Sequence, residues 1–322
     1  MEGSGVSESV ERRVPARREG VVGDSRAGPE FGVPALRLAI LPHEFVFGAF
    51  LLITWLRLVA ASGFVTVPAL AFLAFLVGSA IVIAWAKANP SPLRWRIRLL
   101  YYPAVMGLAF YMLTPAMKLL NLPKADALLN GWDTALFGTN LSVAWQGFSP
   151  PLLTDLMMAG YLFYFLYLVG GPATYCVRDL PKFRLLMVGL FTVHGLGFLG
   201  YTIWPAGGPH LHLTFDQPLV GSWLTRLMAP VVITGSNGVD VFPSLHLAVS
   251  LYLLGFDWRF NRRRFWWLLV PCVTLWVSTI YLRYHYFVDL LAGAALAAVG
   301  WTVAAWWVRT NQTEYCELST EH

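Results

Sequence analysis

The chain has 322 residues, 57% of them hydrophobic and only 13% charged, with a formal net charge of +5. Soluble globular domains carry charge on nearer a quarter of their residues, so this composition excludes an ordinary soluble protein. The basic balance does not require a nucleic-acid partner, because the placement of the arginines has a membrane explanation.

In chain order, residues 1–38 hold Glu, Ser, Gly, Pro and Arg without an apolar run, and read as a disordered tail rather than a secretory leader. Eight apolar stretches follow, at 43–62, 66–86, 99–117, 153–177, 185–204, 242–257, 265–282 and 286–308. Each approaches the roughly 20 residues that a bilayer-crossing helix needs. Lipid admits only helices or closed barrels, and continuous runs of this kind predict helices. The expected fold is all-α, a polytopic integral membrane helical bundle of about eight transmembrane helices. No repeat of solenoid or transporter type is seen, and Cys176, Cys272 and Cys316 are too scattered for a disulfide framework or a metal site.

Lys and Arg sort by connection. All but Arg57, Lys118, Lys124, Arg226 and Arg283 fall in the N-terminal tail, at 87–98, 178–184, 259–264 or at Arg309. The positive-inside rule then makes both termini cytoplasmic, and the loops 118–152 and 205–241 and the turn 283–285 extracytoplasmic. The expected location is the plasma (inner) membrane. Trp85, Trp95, Tyr101, Trp204, Trp266, Trp267, Trp306 and Trp307 stand near span ends, as interfacial anchors do. Residues 125–145 mix Leu, Trp and Phe with polar residues and read as an interfacial helix pair.

Topology brings distant residues to one depth at the extracytoplasmic ends: Trp204 to His210, Phe242-Pro243-Ser244-Leu245-His246, and Ser278 through His285 to Asp289. Pro243 is expected in the first turn of its helix, where a missing N–H costs nothing. The free N–H groups of that turn and the Ser244 hydroxyl would suit an anion. His285 and Asp289, four positions apart, would share a helix face. A carboxylate so placed keeps one imidazole nitrogen protonated and leaves the other lone pair free to attack. His246 is then the proton donor to a leaving oxygen. The three residues together call for no metal or other cofactor. Ionisable residues inside spans are costly, which favours function over packing for this group.

These residues resemble the phosphatidic acid phosphatase type 2 superfamily, with its motifs K-x6-R-P, P-S-G-H and S-R-x5-H-x3-D. Phe242 to His246 and Ser278 to Asp289 are most similar to its inositolphosphotransferase branch, which includes fungal inositol phosphorylceramide synthase. Asp133, Leu136, Phe137 and Gly138 match a further segment common in that branch. The resemblance implies a six-helix catalytic core at 97–310, two additional N-terminal helices at 39–96, and a cytoplasmic tail at 311–322. It implies His285 as the nucleophile forming a phosphohistidine, Asp289 as its orienting carboxylate and His246 as the acid–base residue. Three departures stand out: Thr279 where the superfamily has a phosphate-binding Arg, Gly208-Pro209-His210 where many relatives have Pro-Pro-Arg, and Leu245 in place of Gly. Arg283 and His210 are the nearest substitutes for the missing cations; with Ser244 and Tyr281 they form the candidate substrate-binding set.

The function expected is a membrane phosphotransferase, acting on a lipid phosphate or phospholipid head group with an alcohol as acceptor. A lipid phosphatase or polyprenyl-diphosphate phosphatase, with water as acceptor, uses the same parts. A proton-coupled lipid transporter would show broken helices or repeated halves, and neither is present. No oligomeric state follows from the sequence.

Other groups read differently. His43-Glu44 lacks the second His of a zinc-protease motif, since position 47 is Phe, and is expected to be an interfacial pair. His210-x-His212 offers two metal ligands without a third. His194 and the stripe Tyr161, Tyr164, Tyr167 read as packing. Arg262-Arg263-Arg264 reads as a topology signal in contact with head groups.

Overall fold

The computed structural model describes Met1 and residues 40–311. The expected tails at 1–38 and 311–322 therefore lie outside the described residues except for Met1 and Asn311, as does Cys316. The described residues form α1 (Pro42–Ser62), α2 (Val67–Ala88), α3 (Pro92–Leu120), α4 (Asp126–Phe137), α5 (Leu141–Ala144), α6 (Pro151–Arg178), α7 (Leu180–Ile203), α8 (Pro209–His212), α9 (Trp223–Gly235), α10 (Leu245–Phe260), α11 (Arg262–Tyr281) and α12 (Phe287–Thr310). Eight of these are long, one for each apolar stretch of the sequence. The chain is thus an all-α helical bundle of integral membrane type, as expected.

Six of the eight, α1, α2, α3, α6, α7 and α12, are both long and apolar enough to cross a bilayer. The other two fall short for separate reasons. α10 has 16 residues, about 24 Å at the helical rise, and α11 opens on Arg262, Arg263 and Arg264. They form a hairpin through Asn261, whose side chain caps α11 by accepting from the Arg264 N–H. Asp257 clasps the hairpin, accepting the Tyr167 hydroxyl of α6 at 2.8 Å and pairing with Arg264. The arginine run is therefore partly structural, with Arg264 over Tyr175 and Arg262 over Trp258.

Long helices extend beyond the apolar windows because polar turns continue them. α3 starts at Pro92, well before residue 99, with the Ser91 hydroxyl accepting from the Arg94 N–H. α7 is the central element and is buried along nearly its whole length. It packs on α1, α12, α10, α3 and α6. Phe191 and Phe198 of α7 join Phe47 of α1, and Phe47 meets Tyr102 of α3 edge-on at 5.7 Å.

The expected interfacial pair His43-Glu44 is instead buried. Glu44 accepts from Arg98 Nε at 2.6 Å and Nη2 at 2.5 Å, with both side chains fully enclosed. It also caps α1 through the Leu41 N–H. A carboxylate at the start of α1 satisfies the guanidinium of α3, and that pairing outweighs exposure at the interface. His43 packs edge-on to Tyr102 at 4.9 Å.

Successive long helices are joined by tight turns or by loops returning to the same end, so one end collects 121–150, 204–244 and 282–286. This is the site end. The helix pair expected at 125–145 appears there as α4 and α5, and α4 docks on α12 and α8. Cys176 and Cys272 are free thiols.

Candidate active site

The turn between α11 and α12 carries His285. It hangs from one carbonyl: Thr279 O accepts the Tyr284 N–H at 2.9 Å and the His285 N–H at 3.0 Å. Arg283 closes the turn in the left-handed region at φ 68°. α12 begins only at Phe287, so His285 and Asp289 do not share a helix face as expected. Asp289 is the third residue of α12 and reaches back over the helix start. Its Oδ2 accepts the Tyr286 N–H at 2.8 Å and lies 3.2 Å from His285 Nδ1. A capping interaction therefore makes the imidazole–carboxylate pair.

α10 meets this turn with its own N-terminus. Pro243 precedes the helix, joined to Phe242 by a cis peptide bond, and Ser244 takes the N-cap position instead. The Ser244 hydroxyl accepts from Leu247 N–H, and the Ser244 N–H donates to the Asp289 carbonyl at 3.0 Å. The crossing is tight: a Cβ on Gly293 would stand 2.5 Å from Ser244 O. The two helix starts bring His246 Nδ1 within 3.2 Å of His285 Nε2, with Ser244 Oγ at 3.5 Å. Burial draws the His285 imidazole down to about 4, against the opposing charge of Asp240 and a Val241 backbone hydrogen bond. Its ring is neutral at physiological pH, with Nδ1 toward Asp289 and Nε2 toward His246.

Carboxylates from the connecting segments fix the surroundings. Asp126 of α4 accepts the N–H groups of Gly207 and Gly208 and the Tyr286 hydroxyl. Gly208 has φ 90°, and a Cβ there would lie 2.5 Å from Tyr284 O. Only glycine permits this approach, which lets the His210 N–H donate to Arg283 O at 2.9 Å. Asp133 of α4 accepts the Phe287 and Val288 N–H groups at the start of α12. Asp155 of α6 does the same for α9, accepting from Ser222, Leu224 and Thr225.

Two cavities adjoin the histidines. A small cleft of ≈ 30 Å³ is bounded by His285, His246, His210, Tyr284, Tyr161 and Asp240, among others. A chamber of ≈ 540 Å³ shares Tyr161, Asp240 and His246 with it and runs between α3, α6, α7 and α9 over mostly apolar walls. That volume is typical of a small-molecule site.

Of the residues expected at the site, His246, His285, Asp289, Ser244 and His210 come together. His210 lines the cleft with a buried Nδ1 that has no partner, and burial lowers its pKa, so it is not a standing cation. Arg283 and Tyr281 line neither cavity. The Arg283 guanidinium donates to Gln217 O at 2.7 Å and covers Phe215 at 3.9 Å. The Tyr281 hydroxyl meets Thr154 Oγ1 at 3.0 Å. Thr279 Oγ1 donates to Trp276 O. Leu245 points to Gly197 of α7 and lines the chamber rather than the cleft.

Sequence reasoning missed several contributors. Tyr161 and Tyr164, read as packing, flank the His246 ring at 4.7 and 4.5 Å and line the chamber; Tyr167 alone of that stripe is structural. His194 hydrogen-bonds its own helix at Leu190 O and also lines the chamber. Lys124 brings its ammonium to within 3.1 Å of where a Cβ would stand on Gly207, a residue of the cleft lining. The signal for Asp126 and Lys124 was their shared place in a short loop segment beside the Asp133 match. Asp240 left none beyond its closeness to Phe242.

The sequence profile of the PAP2 superfamily (phosphatidic acid phosphatase type 2) matches residues 129–303, from α4 to α12. The chain belongs to this superfamily. It is also similar to inositol phosphorylceramide synthase of Candida albicans, 27% identical over 268 residues, covering 73% of this chain and 53% of the relative. The chain thus spans about half the length of that relative. No solved structure matches it. The chain is thus a helical membrane protein of the PAP2 superfamily.

Proposed function

We propose that this PAP2 protein transfers a phosphate-bearing head group from a lipid to an alcohol through a phosphohistidine on His285. The observation that carries this reading is the geometry around one ring: Nδ1 against the Asp289 carboxylate and Nε2 toward the cleft, beside His246. In the first step Nε2 attacks phosphorus and the ester P–O bond breaks. His246, in its protonated form, gives its proton to the leaving alkoxide. In the second step the acceptor oxygen attacks phosphorus, its proton passes to His246, and the P–N bond breaks. The His246 N–H at the start of α10 and the Lys124 ammonium beside Gly207 suit phosphoryl oxygens. His210 and Ser244 complete the substrate contacts; Arg283 and Tyr281, bonded to Gln217 and Thr154, take no part in them.

The Candida albicans relative is named for the synthesis of inositol phosphorylceramide, which favours transfer over hydrolysis. In this reading α3, α6, α7 and α10–α12 form the catalytic core, α1 and α2 are an addition, and the site faces the extracytoplasmic side of the plasma membrane with both termini inside. The distribution of Lys and Arg supports that orientation.

The test is turnover of head-group-labelled phospholipids by purified protein, wild type against His285→Ala. Loss of at least about a thousand-fold is expected; retained turnover overturns the phosphohistidine. Adding alcohols separates the acceptors: labelled transfer product supports the transferase, whereas release of the water-soluble head-group phosphate alone would make the protein a lipid hydrolase. A Cys placed at position 226 and labelled only from the cytoplasmic side overturns the orientation.

A further inference from the structure

Asp240 has no part in the two-histidine chemistry, yet it sits where the cleft and the chamber join and lines both. Its Oδ1 accepts the Ser236 hydroxyl at 2.7 Å. The chain on either side is fixed, by the bridge between Ala206 and Asp240 and by the buried Val239 and Val241. The Asp240 charge favours the protonated His285 ring, against the effect of burial.

A carboxylate is a poor ligand for phosphate. Ionised, it offers only acceptors, and phosphoryl oxygens are acceptors too. What suits it, in a cleft that it shares with a phosphorylated His285, is a hydroxyl that donates to it and presents its oxygen to phosphorus. The chamber behind it is walled by Met106 and Phe110 of α3, Phe165 of α6, Phe198 of α7 and Val231 of α9, which suit an alkyl body and nothing charged.

We propose that Asp240 and this chamber form the alcohol site: Asp240 holds the hydroxyl of a lipid alcohol whose apolar body fills the chamber. The inference deepens the phosphotransfer reading by assigning the acceptor site, and rests on it for the chemistry. One chamber serves both half-reactions. The alcohol released when the donor P–O bond breaks leaves it, and the acceptor then enters; its hydroxyl turns from Asp240 to His246, which takes the proton as the new P–O bond forms. The leaving alcohol and the acceptor therefore compete for the same enzyme form.

The test begins with binding, which does not depend on turnover. Hexadecanol and hexadecane are compared by the thermal stabilisation they give the purified full chain in detergent. Wild type is expected to bind the alcohol at least about ten-fold better than the alkane, the worth of one charge-assisted hydrogen bond. Asp240→Ala, and the near-isosteric Asp240→Asn as a control for folding, are expected to reduce that preference, Ala to none. No preference in wild type, or a preference that survives in Asp240→Ala, overturns the proposal. In turnover, the variant is expected to raise the KM for the alcohol at least about ten-fold more than the KM for the phospholipid. Equal change in both would assign Asp240 to His285 instead and overturn the alcohol site. An alcohol preference that depends on Asp240, in a protein that transfers nothing, would overturn the phosphotransfer reading and leave the hydroxyl site standing.

Discussion

His285 makes the first prediction at the scale of single residues. The nucleophile must be neutral, and burial has lowered its pKa to about 4. Protonation removes the attacking lone pair, so activity governed by this group is present above that value and lost as pH falls through it. The acid limb of kcat/KM assigned to His285 is expected near pH 4; a limb at the ordinary histidine value of 6.5 would mean that the ring is solvated. Lys124 makes the second. Lys124→Ala is expected to raise the KM for a phospholipid donor roughly ten-fold at low salt, and less as ionic strength screens the charge. An unchanged KM would remove the ammonium from the phosphate. His246, His285 and Asp289 were legible because their spacing is a local pattern. Asp240 was not, because it meets the histidines only through the path of a long loop, which no spacing records.

At the scale of elements, the segments at the site end are held by borrowed caps. Asp133 of α4 serves the first turn of α12, and Asp155 of α6 serves α9. Asp133→Ala is expected to cost about 1–2 kcal/mol of stability, the usual worth of a cap, read as a lower Tm. It should also lower kcat, because α12 carries Asp289. A fall in Tm with normal kcat would show that the turn bearing His285 holds without α4. The helices themselves were readable from apolarity, although their ends were not: α3 runs on through three arginines that a hydropathy window rejects. The capping geometry of Asp289 was misread as a shared helix face for a related reason. A separation of four residues fits both arrangements, and only the start of α12 at Phe287 decides between them.

Across the whole molecule, Glu44 and Arg98 tie α1 to α3 inside the bundle. Glu44→Ala is expected to destabilise by about 3–5 kcal/mol, the cost of stranding one member of an enclosed pair. The joint replacement Glu44→Leu with Arg98→Met should recover most of that loss, as measured by thermal unfolding in detergent. Equal destabilisation by the single and the joint variants would mean that packing rather than charge is at stake. Bundle class and helix number followed from the sequence because apolar runs dictate them. This pair did not, because two charges some fifty residues apart at the edges of separate apolar runs look like two independent span boundaries.

The same pair bears on how the protein is made. An isolated charge in a membrane helix raises the cost of insertion, by roughly 3 kcal/mol at the centre and by less toward the ends, where Glu44 and Arg98 stand. A translocon that released α1 before α3 arrived would face that cost for Glu44, and again for Arg98; joint entry cancels both. The leading hairpin and the catalytic core are thus expected to mature as one unit during biogenesis. A shortened chain starting after α2 should keep every catalytic side chain and still be cleared by membrane quality control, because Arg98 would enter the bilayer without its carboxylate.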